Sequence, residues 1–224
     1  SFLGLFLLTA EVVQAAERPN ILWIFQEDTS PWMGCYGSKV NQDETPRIDQ
    51  MAASGIRFSR AFVPFPVCSS CRSSMMLGAN AIRFGAHEHR SRRGKKKTYL
   101  PKGMKTITEL MRDAGYFTFN VGKTDYNFSH GDFYPRASTA AKGNGGKKGK
   151  KTKGTKRFMT APWRRLPKGK PFFGQIQLTG GKSRAKRVVD RAKVSIPPYY
   201  PNHPTIREAI GRHYDTILQL DEVL

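Results

Sequence analysis

The sequence predicts an α/β domain in which helices flank a mostly parallel central sheet. Two observations support this class. Segments of strand character alternate with segments of helical character, and the strand segments are apolar runs of the kind that a parallel sheet buries on both faces. With 38% apolar and 25% charged residues, the chain can form a real core and is too polar for a multi-span membrane protein. At 224 residues it is one large domain or part of one.

The first unit begins with the continuous apolar run of residues 21–25, which predicts a strand covered on both faces. Thr45 and Pro46 suit the N-cap and first position of a helix that continues through Ala53 and is closed by a glycine. Residues 56–62 then alternate between apolar and polar side chains, which predicts a second strand.

The second unit has a clear local signal at its start. Thr106 and Glu109 are spaced as a capping box, which predicts a helix over residues 107–114. A glycine ends this helix, and residues 116–121 predict the next strand. Residues 172–178 predict a third strand of the sheet.

The last segment has helical periodicity. Thr205 and Glu208 are spaced as another capping box, and apolar residues recur at helical intervals to the end of the sequence without a stop signal. We therefore interpret the chain as the N-terminal portion of a longer protein. Among the aromatic residues, we expect Trp23, Phe58 and the pair at 172–173 to belong to the core rather than to a ligand platform.

The N-terminal segment predicts export. Residues 1–16 form an apolar stretch followed by small residues, which is typical of a secretory signal peptide that lacks its basic start. A buried helix or a membrane anchor is the alternative, but the apolar run is well short of the ~20 residues that a spanning helix needs. We predict a secreted or periplasmic protein without a stable membrane span, whose mature part occupies residues 17–224.

The charge predicts an anionic partner. Lys and Arg total 38 against 17 Asp and Glu, so the formal charge is +21, which attracts nucleic acid, anionic lipid or sulfated polysaccharide without selecting among them. The Lys- and Gly-rich stretch at about residues 139–157 predicts a disordered insertion, either a polyanion-binding arm or a solvated loop. A second basic cluster at residues 90–97 follows the richest motif region and is the better candidate to face an anionic ligand.

Charged side chains follow the ends of the predicted strands. Glu27 and Asp28 come directly after the first strand, Lys123 follows the strand that ends at residue 121, and Lys182 follows the third. Because ligands bind at the carboxyl ends of the strands in open parallel sheets, we expect these side chains to share one cleft. Carboxylate oxygens favour Ca²⁺ or Mg²⁺, although two ligands are fewer than either ion requires.

Cys68 and Arg72 stand out at a predicted loop-to-helix junction. Their spacing of four residues places both side chains on one helix face, near the positive end of the helix. This pattern indicates an anion site that contains a nucleophile. A structural cysteine is one alternative, and a redox pair or half of a zinc site formed with Cys71 is another.

The motifs resemble those of a known family when they are taken together. They are Arg18-Pro-Asn-Ile-Leu, Glu27-Asp28, Gly34-Cys-Tyr-Gly37, Thr45-Pro-Arg-Ile-Asp49, Gly55-Ile-Arg-Phe58, Cys68-Ser-Ser-Cys-Arg72 with Leu77-Gly78, Gly115-Tyr116, Gly122-Lys123 and Lys170-Pro-Phe-Phe173. The chain resembles the type I, formylglycine-dependent sulfatases of the alkaline phosphatase superfamily, and it looks most similar to bacterial heparan N-sulfatase-like or N-sulfoglucosamine sulfohydrolase-like enzymes. The resemblance implies the N-terminal portion of an alkaline-phosphatase-like sandwich.

The resemblance also implies a role for each site residue. Cys68 stands where the family's cysteine is oxidised to formylglycine, whose hydrate attacks sulfur with one hydroxyl and expels sulfate with the other. Arg72 would hold that group, and Glu27 and Asp28 would be the first two ligands of Ca²⁺, with Mg²⁺ as the other candidate ion. Lys123 and Lys182 would contact the sulfate.

The sequence departs from the family pattern at three places. Ser70 and Cys71 occupy the third and fourth positions of a motif that usually reads Cys-x-Pro-Ser-Arg or Cys-x-Ala-x-Arg. Asp125, or nearby Tyr126 or Asn127, takes the place of a sulfate-contacting histidine, and Glu27 replaces the commoner Asp. His87 and His89 follow the nucleophile segment closely and are candidates, with Asp125, to contact the substrate.

The resemblance predicts a sulfatase that hydrolyses sulfate esters or N-sulfates of a sulfated polysaccharide or oligosaccharide. Its partners would be that glycan and a formylglycine-generating maturase, with no specific nucleic acid. Two alternatives stay open at this stage: a phosphodiester or phosphonate hydrolase of the same superfamily, and a non-catalytic, secreted polyanion-binding protein.

Overall fold

The computed structural model describes residues 18–40, 44–90, 100–129, 139–140, 166–178, 180 and 185–224. Its centre is a four-stranded parallel sheet with the strand order β1-β4-β2-β3. The strands are β1 (Ile21–Gln26), β2 (Phe117–Val121), β3 (Thr139–Ala140) and β4 (Phe172–Leu178). The prediction of a mostly parallel α/β sheet is confirmed, and the three predicted strands that begin near residues 21, 116 and 172 are all present.

Within the described residues, four α-helices surround this sheet. They are α1 (Pro46–Ser54), α2 (Cys68–Leu77), α3 (Ile107–Asp113) and α4 (Pro204–Asp221). On one face, Leu220 of α4 packs with Phe119 and Ile176 of the sheet. On the other face, the buried Gln175 amide donates to Met76 Sδ of α2 and Thr108 Oγ1 of α3. Helices therefore cover both faces, as the apolar strands require.

The register aligns the carboxyl ends of the strands. Gln26 of β1 lies beside Leu178 of β4, and Val121 of β2 lies beside Ile176. The segments that follow β1 and β2 consequently leave the sheet at the same edge, which is where ligands bind in sheets of this kind. Gly180 allows a close approach here, because a Cβ at this position would overlap the carbonyl oxygen of Glu27.

Helix α3 shows the predicted capping box. Thr106 Oγ1 accepts a hydrogen bond from the Glu109 amide at 3.3 Å, and Glu109 Oε2 accepts one from the Thr106 amide at 2.8 Å. Two amides that the first helical turn leaves unpaired are satisfied by residues three positions apart. This helix start is therefore fixed locally, which is why the sequence predicted it.

Helix α1 begins where predicted but is stabilised from a distance. The Thr45 hydroxyl accepts from the Gly34 amide at 3.0 Å instead of capping the helix. Asp221, at the end of α4, accepts from the amides of Ile48 at 2.8 Å and Arg47 at 3.3 Å. A carboxylate 173 to 174 residues away in sequence thus accepts hydrogen bonds from the backbone amides at the start of α1.

The capping box predicted for the last helix is wrong. Helix α4 begins at Pro204, and the His203 side chain caps it by accepting from the Thr205 amide at 3.2 Å. Glu208 instead pairs with Arg191, whose Nε lies 2.9 Å from Oε2. The long-range ion pair takes the carboxylate that local spacing had assigned to the cap. The helix ends at Asp221 rather than continuing through the last residue.

The strand predicted at residues 56–62 is also absent, and this segment is irregular. Ile56, Phe58 and Phe62 are 84%, 68% and 88% exposed, so the placement of Phe58 in the core is wrong as well. Apolar alternation specifies a strand only where a neighbouring strand accepts its hydrogen bonds, and no described strand lies beside this segment. The core prediction holds for Phe173, which is 1% exposed.

Several predictions fall on other parts of the chain. Residues 1–16, 91–97, 141–157 and Lys182 lie outside the described residues, so the signal peptide, most of the second basic cluster and the Lys-rich insertion stay predictions. Thr139 and Ala140, at the expected start of that insertion, form β3. Among the described helices, none combines the length and the apolar character needed to cross a membrane.

Candidate functional site

The candidate site is built on the first turn of α2. Val67 is extended, the helix starts at Cys68, and Gly78 ends it in the left-handed conformation that favours glycine. The helix buries a polar face: Ser69, Ser70, Arg72, Ser73 and Ser74 are all buried. Buried polar groups need partners, so this face is directed at other segments of the site. The prediction that Cys68 lies at a loop-to-helix junction is confirmed.

Arg72 binds the backbone of the loop after β2. Its Nε donates to the Thr124 carbonyl at 2.7 Å, its Nη2 donates to the Lys123 carbonyl at 2.6 Å, and its Nη1 donates to Gln177 Oε1. The guanidinium also lies over the Phe25 ring, 5.2 Å from the centroid. These charge-assisted bonds fix the position of Lys123 relative to α2. Contact between Arg72 and residue 68 stays a prediction.

Lys123 lies between two carboxylates. Its Nζ forms an ion pair with Glu27 Oε1 and lies 3.1 Å from Asp125 Oδ2. Partial burial acts to lower the pKa of Lys123, but the neighbouring Glu27 and Asp125 carboxylates outweigh it and raise this pKa above its ordinary value. The side chain is therefore a firmly charged ammonium at the carboxyl edge of the sheet.

Asp125 has the matching shift. Burial acts to raise the pKa of its carboxyl, but Lys123, the Cys68 thiol and Arg90 together lower it below the usual range. Arg90 Nε lies 3.3 Å from Asp125 Oδ1. Asp125 is thus an ionised carboxylate with one cation beside each oxygen.

Cys68, His89 and Asp125 come together at the start of α2. Cys68 Sγ lies 3.5 Å from His89 Nε2, and one side-chain atom of each of the three residues lies within 4.8 Å of the others. His89 is exposed, whereas Cys68 and Asp125 are half-buried, so the cluster is open to solvent on the histidine side. The predicted nucleophile is therefore accessible and lies among groups that can bind or move a proton.

Hydrogen bonds with Asn127 on one side and with α2 on the other fix the loop that carries His89. Asn127 Nδ2 donates to the carbonyls of Ala86 at 2.7 Å and Glu88 at 2.6 Å, and the Ser69 hydroxyl accepts from the Arg90 amide at 2.9 Å. Ser70 Oγ donates to the His87 carbonyl at 2.8 Å. Proline, the usual residue at this motif position, could not make this bond.

Backbone strain is concentrated at the site. Among the described residues, the non-glycine residues in the left-handed region are Asp28 (φ 54°), Arg90 (φ 55°) and Asp125 (φ 46°). Asp28 and Asp125 are themselves candidate site residues, and Arg90 directly follows His89. Such backbone conformations cost of order 1–3 kcal/mol unless the surrounding structure compensates. Strain that collects at one edge of the sheet is an independent indication of a functional site.

Glu27 and Asp28 fit a hard cation in chemistry but are not sufficient for one. Both offer carboxylate oxygens directly after β1, and the ammonium of Lys123 already binds Glu27, which shows that this position attracts a cation. Burial lowers the pKa of the His213 imidazole in α4, and the exposed Asp28 carboxylate acts against this shift without cancelling it. The two acids would be part of an oxygen ligand set completed by other groups.

The structure brings together most of the predicted site residues. Those at the carboxyl edge are Cys68, His89, Lys123, Asp125, Glu27 and, through the backbone of the same loop, Arg72. The side chain of His87 is exposed, and its backbone carbonyl is the part that contacts α2. Lys182 lies outside the described residues.

Sequence reasoning missed several residues that organise this site. Gln177 and Ser69 were not singled out, Arg90 was noted only as part of a basic cluster, and Asn127 was named only as a candidate replacement for a sulfate-contacting histidine. Gln177 had a usable signal, because a glutamine inside an apolar strand is costly unless it has a partner. The loop-holding role of Asn127 had no such signal, since it depends on a loop 39 to 41 residues away.

The carboxyl edge of this parallel sheet, where ligands bind in such folds, carries a helix-start cysteine, two cations and several carboxylates. The sequence profile of the family described as Sulfatase matches residues 19–223, so this chain belongs to the sulfatase family.

Named relatives agree with this assignment. Human arylsulfatase A is 34% identical over 125 residues, which is 54% of this chain and 23% of that protein. The ulvan-active sulfatase of Formosa agariphila is 29% identical over 126 residues, or 53% of this chain and 21% of that protein. The matched part is therefore under a quarter of each of these two relatives.

Solved structures show the same fold. A Bacteroides thetaiotaomicron chain described as a candidate sulfatase superposes with a TM-score of 0.64 at 19% identity, over 92% of this chain and 53% of that one. A second chain, from work on the metabolism of multiple glycosaminoglycans by this bacterium, gives 0.66 at 15% identity, over 92% and 56%. The alkaline-phosphatase-like fold expected from the resemblance is confirmed for this portion.

Proposed function

We propose that the whole protein is a sulfatase that hydrolyses sulfate esters or N-sulfates of a sulfated glycan, and that its nucleophile is formylglycine formed from Cys68. One observation carries the proposal: in a chain of the sulfatase family, the thiol at the start of α2 lies in an accessible cluster with His89 and Asp125, next to the charged Lys123. When formed, the hydrated aldehyde supplies the attacking hydroxyl and a route for releasing sulfate.

The residues around Cys68 would perform separate tasks. Lys123 and Arg90 are cations within reach of Asp125 at the carboxyl edge, and they would bind sulfate oxygens and stabilise the charge that develops on them. Arg72 is buried and would hold the Lys123 loop against the nucleophile helix. Asp125 and His89 are placed to accept or return a proton near residue 68.

A divalent cation would complete the site. Glu27 and Asp28 would hold Ca²⁺, or Mg²⁺, with further ligands from elsewhere in the protein, because their oxygens are the ligands that these ions prefer. When bound, the ion would supply Lewis-acid stabilisation of a sulfate oxygen. Lys123 would then exchange part of its contact with Glu27 for contact with the substrate.

A sulfated glycan is the favoured substrate class. The formal charge of +21 attracts a polyanion, Arg90 belongs to the basic cluster next to the nucleophile, and the relatives include an ulvan-active sulfatase. A heparan N-sulfatase-like subtype is part of this proposal. Export and a formylglycine-generating maturase are further parts, because conversion of Cys68 needs an oxidising enzyme.

The first test is conversion at residue 68. Peptide mass spectrometry across α2 of the whole protein, expressed with a maturase, should show the sulfur and two hydrogens of Cys68 replaced by one oxygen, a change that no disulfide reproduces. Ser70→Pro restores the usual third motif position and should raise the converted fraction, while it loses the bond to His87 and about 1 kcal/mol of stability.

The second test is sulfate release from sulfated oligosaccharides and an aryl sulfate. Cys68→Ala should reduce turnover by at least about 10³-fold, whereas Cys71→Ala, which alters the half-buried neighbour, should leave it within a few fold. Faster hydrolysis of a matched phosphate diester would favour the hydrolase alternative. Tight heparin binding without conversion or turnover would favour the non-catalytic alternative.

A further inference from the structure

We propose that the chain, for as long as residue 68 keeps its thiol, binds a thiophilic transition metal of the Zn²⁺ class through Cys68, His89 and Asp125. This site differs from the hard-cation site proposed at Glu27 and Asp28. It does not depend on sulfatase activity, because it belongs to the protein before any oxidation of Cys68.

The spacing of the donor atoms suits a tetrahedral ion. With Zn–S near 2.3 Å and Zn–N near 2.0 Å, the sulfur and nitrogen ligands of a tetrahedral site lie about 3.5 Å apart. Cys68 Sγ and His89 Nε2 lie 3.5 Å apart, and a carboxylate oxygen of Asp125 completes a triad whose members are within 4.8 Å of one another. Small side-chain movements are enough to bring all three onto one ion.

The donor types select the metal. Thiolate and imidazole favour Zn²⁺ or Co²⁺ over Ca²⁺ and Mg²⁺, which prefer oxygen ligands. Three protein ligands leave a fourth position for water, and the exposed His89 gives an ion access from solvent. The triad is therefore a soft site at the same edge of the sheet as the hard one.

Asp125 has a lone pair to offer despite its two cationic neighbours. Its Oδ1 accepts from Arg90 Nε at 3.3 Å. Its Oδ2 is buried and lies 3.1 Å from Lys123 Nζ, but the geometry does not make a hydrogen bond. A carboxylate can accept about four hydrogen bonds, so a metal need not displace Arg90. Lys123 would keep its ion pair with Glu27.

The backbone on both sides of His89 is already fixed. The Glu88 carbonyl accepts from Asn127 at 2.6 Å, and the Arg90 amide donates to Ser69 at 2.9 Å. Because Cys68, the sulfur ligand, is the first residue of α2, the loop and the helix present their donors without ordering a flexible segment. A preorganised ligand set of this kind binds metal more tightly than one that must fold around it.

The test uses the whole protein, prepared without a maturase and shown by peptide mass to carry a thiol at residue 68. The protein is alkylated with iodoacetamide, with and without stoichiometric Zn²⁺, and labelling is followed at Cys35, Cys68 and Cys71. Zn²⁺ should slow labelling of Cys68 at least about tenfold and leave Cys35 and Cys71 unchanged. A chelator should restore the original rate.

Two outcomes of this experiment overturn the proposal. If Zn²⁺ leaves the labelling rate of Cys68 unchanged, the triad does not bind the metal. If Cys71 is protected to the same extent, the ligands are the two cysteines of α2 and not the triad. Both readouts come from the unmodified protein, so neither depends on how a variant folds.

A matched pair of variants tests the histidine. Co²⁺ should give a thiolate-to-cobalt charge-transfer band with the parent protein, and its affinity should fall at least about tenfold in His89→Gln. His87→Gln alters an exposed imidazole two residues away, whose segment contacts α2 only through its carbonyl, and it should bind Co²⁺ like the parent. Equal affinities in the two variants would remove His89 from the site and overturn the proposed ligand set.

Discussion

Asn127 offers the sharpest test of how the site is held together. Its side chain is 1% exposed, and Nδ2 donates to the carbonyls of Ala86 at 2.7 Å and Glu88 at 2.6 Å. The backbone amide of Asn127 also donates to Ser73 Oγ at 2.9 Å, which connects this residue to α2. Asn127 therefore joins the His89 loop to the segment after β2.

Asn127→Ala should cost about 2–3 kcal/mol, because the two hydrogen bonds to these carbonyls, worth about 1 kcal/mol each, are lost and the carbonyl oxygens lose a partner. A longer bond from Nδ2 to Ser70 Oγ, at 3.4 Å, is lost with them. Asn127→Asp should cost about 3–5 kcal/mol, since a carboxylate would face both carbonyls without a proton to donate. The order of the two variants is informative, because the smaller change in shape is expected to be the more damaging.

Urea unfolding of the whole protein measures both costs, and turnover per folded molecule measures the effect on the site. Loosening the His89 loop should lower turnover of Asn127→Ala about tenfold or more even where the protein is fully folded. Asn80→Ala is the control: this exposed side chain caps the short turn at residues 81–84 and should cost about 1 kcal/mol without changing turnover.

Either of two results would refute this reasoning. One is that Asn127→Asp is as stable as Asn127→Ala, which would mean that the side chain donates nothing to the two carbonyls. The other is that turnover per folded molecule is the same in Asn127→Ala and Asn80→Ala, which would mean that the loop does not position the site.

Three further predictions concern stability and activity. Asp215 is 3% exposed and accepts from Arg191 at 2.7 Å, so Asp215→Asn should cost about 3–5 kcal/mol in urea unfolding, and a cost below about 1 kcal/mol would contradict this. Burial acts to raise the pKa of Asp215, but Arg191 and two backbone amides outweigh it and lower this pKa. The stability that the ionised carboxylate contributes is therefore present above its unfolded pKa of about 3.9 and is lost as pH falls through the lower folded pKa. Asp215→Asn should lack this acid-dependent loss of stability. Asp221→Ala removes the acceptor for the start of α1 and should cost about 1–2 kcal/mol, measured by thermal unfolding, whereas an unchanged melting temperature would show that the cap contributes nothing. Lys123→Met should lower kcat about 10²–10³-fold in the mature enzyme, with partial activity in Lys123→Arg; a change in KM alone would show that Lys123 binds substrate without stabilising the transition state.

The sequence determined the parts of the molecule that depend on neighbouring residues. The capping box of Thr106 and Glu109 and the start of α2 at Cys68 involve residues at most four positions apart, and both are present. The strands at 21–26, 117–121 and 172–178 were predictable because buried parallel strands need continuous apolar runs. Glu27 and Lys123 were predicted together because strands of a parallel sheet end at one edge, and Cys68 was joined to them through the resemblance to the sulfatases.

Only the tertiary structure decided the remaining contacts. Glu208 pairs with Arg191 instead of capping α4, because an ion pair with a residue distant in sequence outweighs the local capping pattern. Residues 56–62 form no strand, because none of the described strands lies beside them to share hydrogen bonds. The approach of His89 to Cys68 across 21 residues depends on hydrogen bonds from Asn127, whose spacing carries no periodic signal. Hydrogen bonds within one turn repeat with the helix and can be recognised in a sequence, whereas those between loops depend on how the whole chain packs.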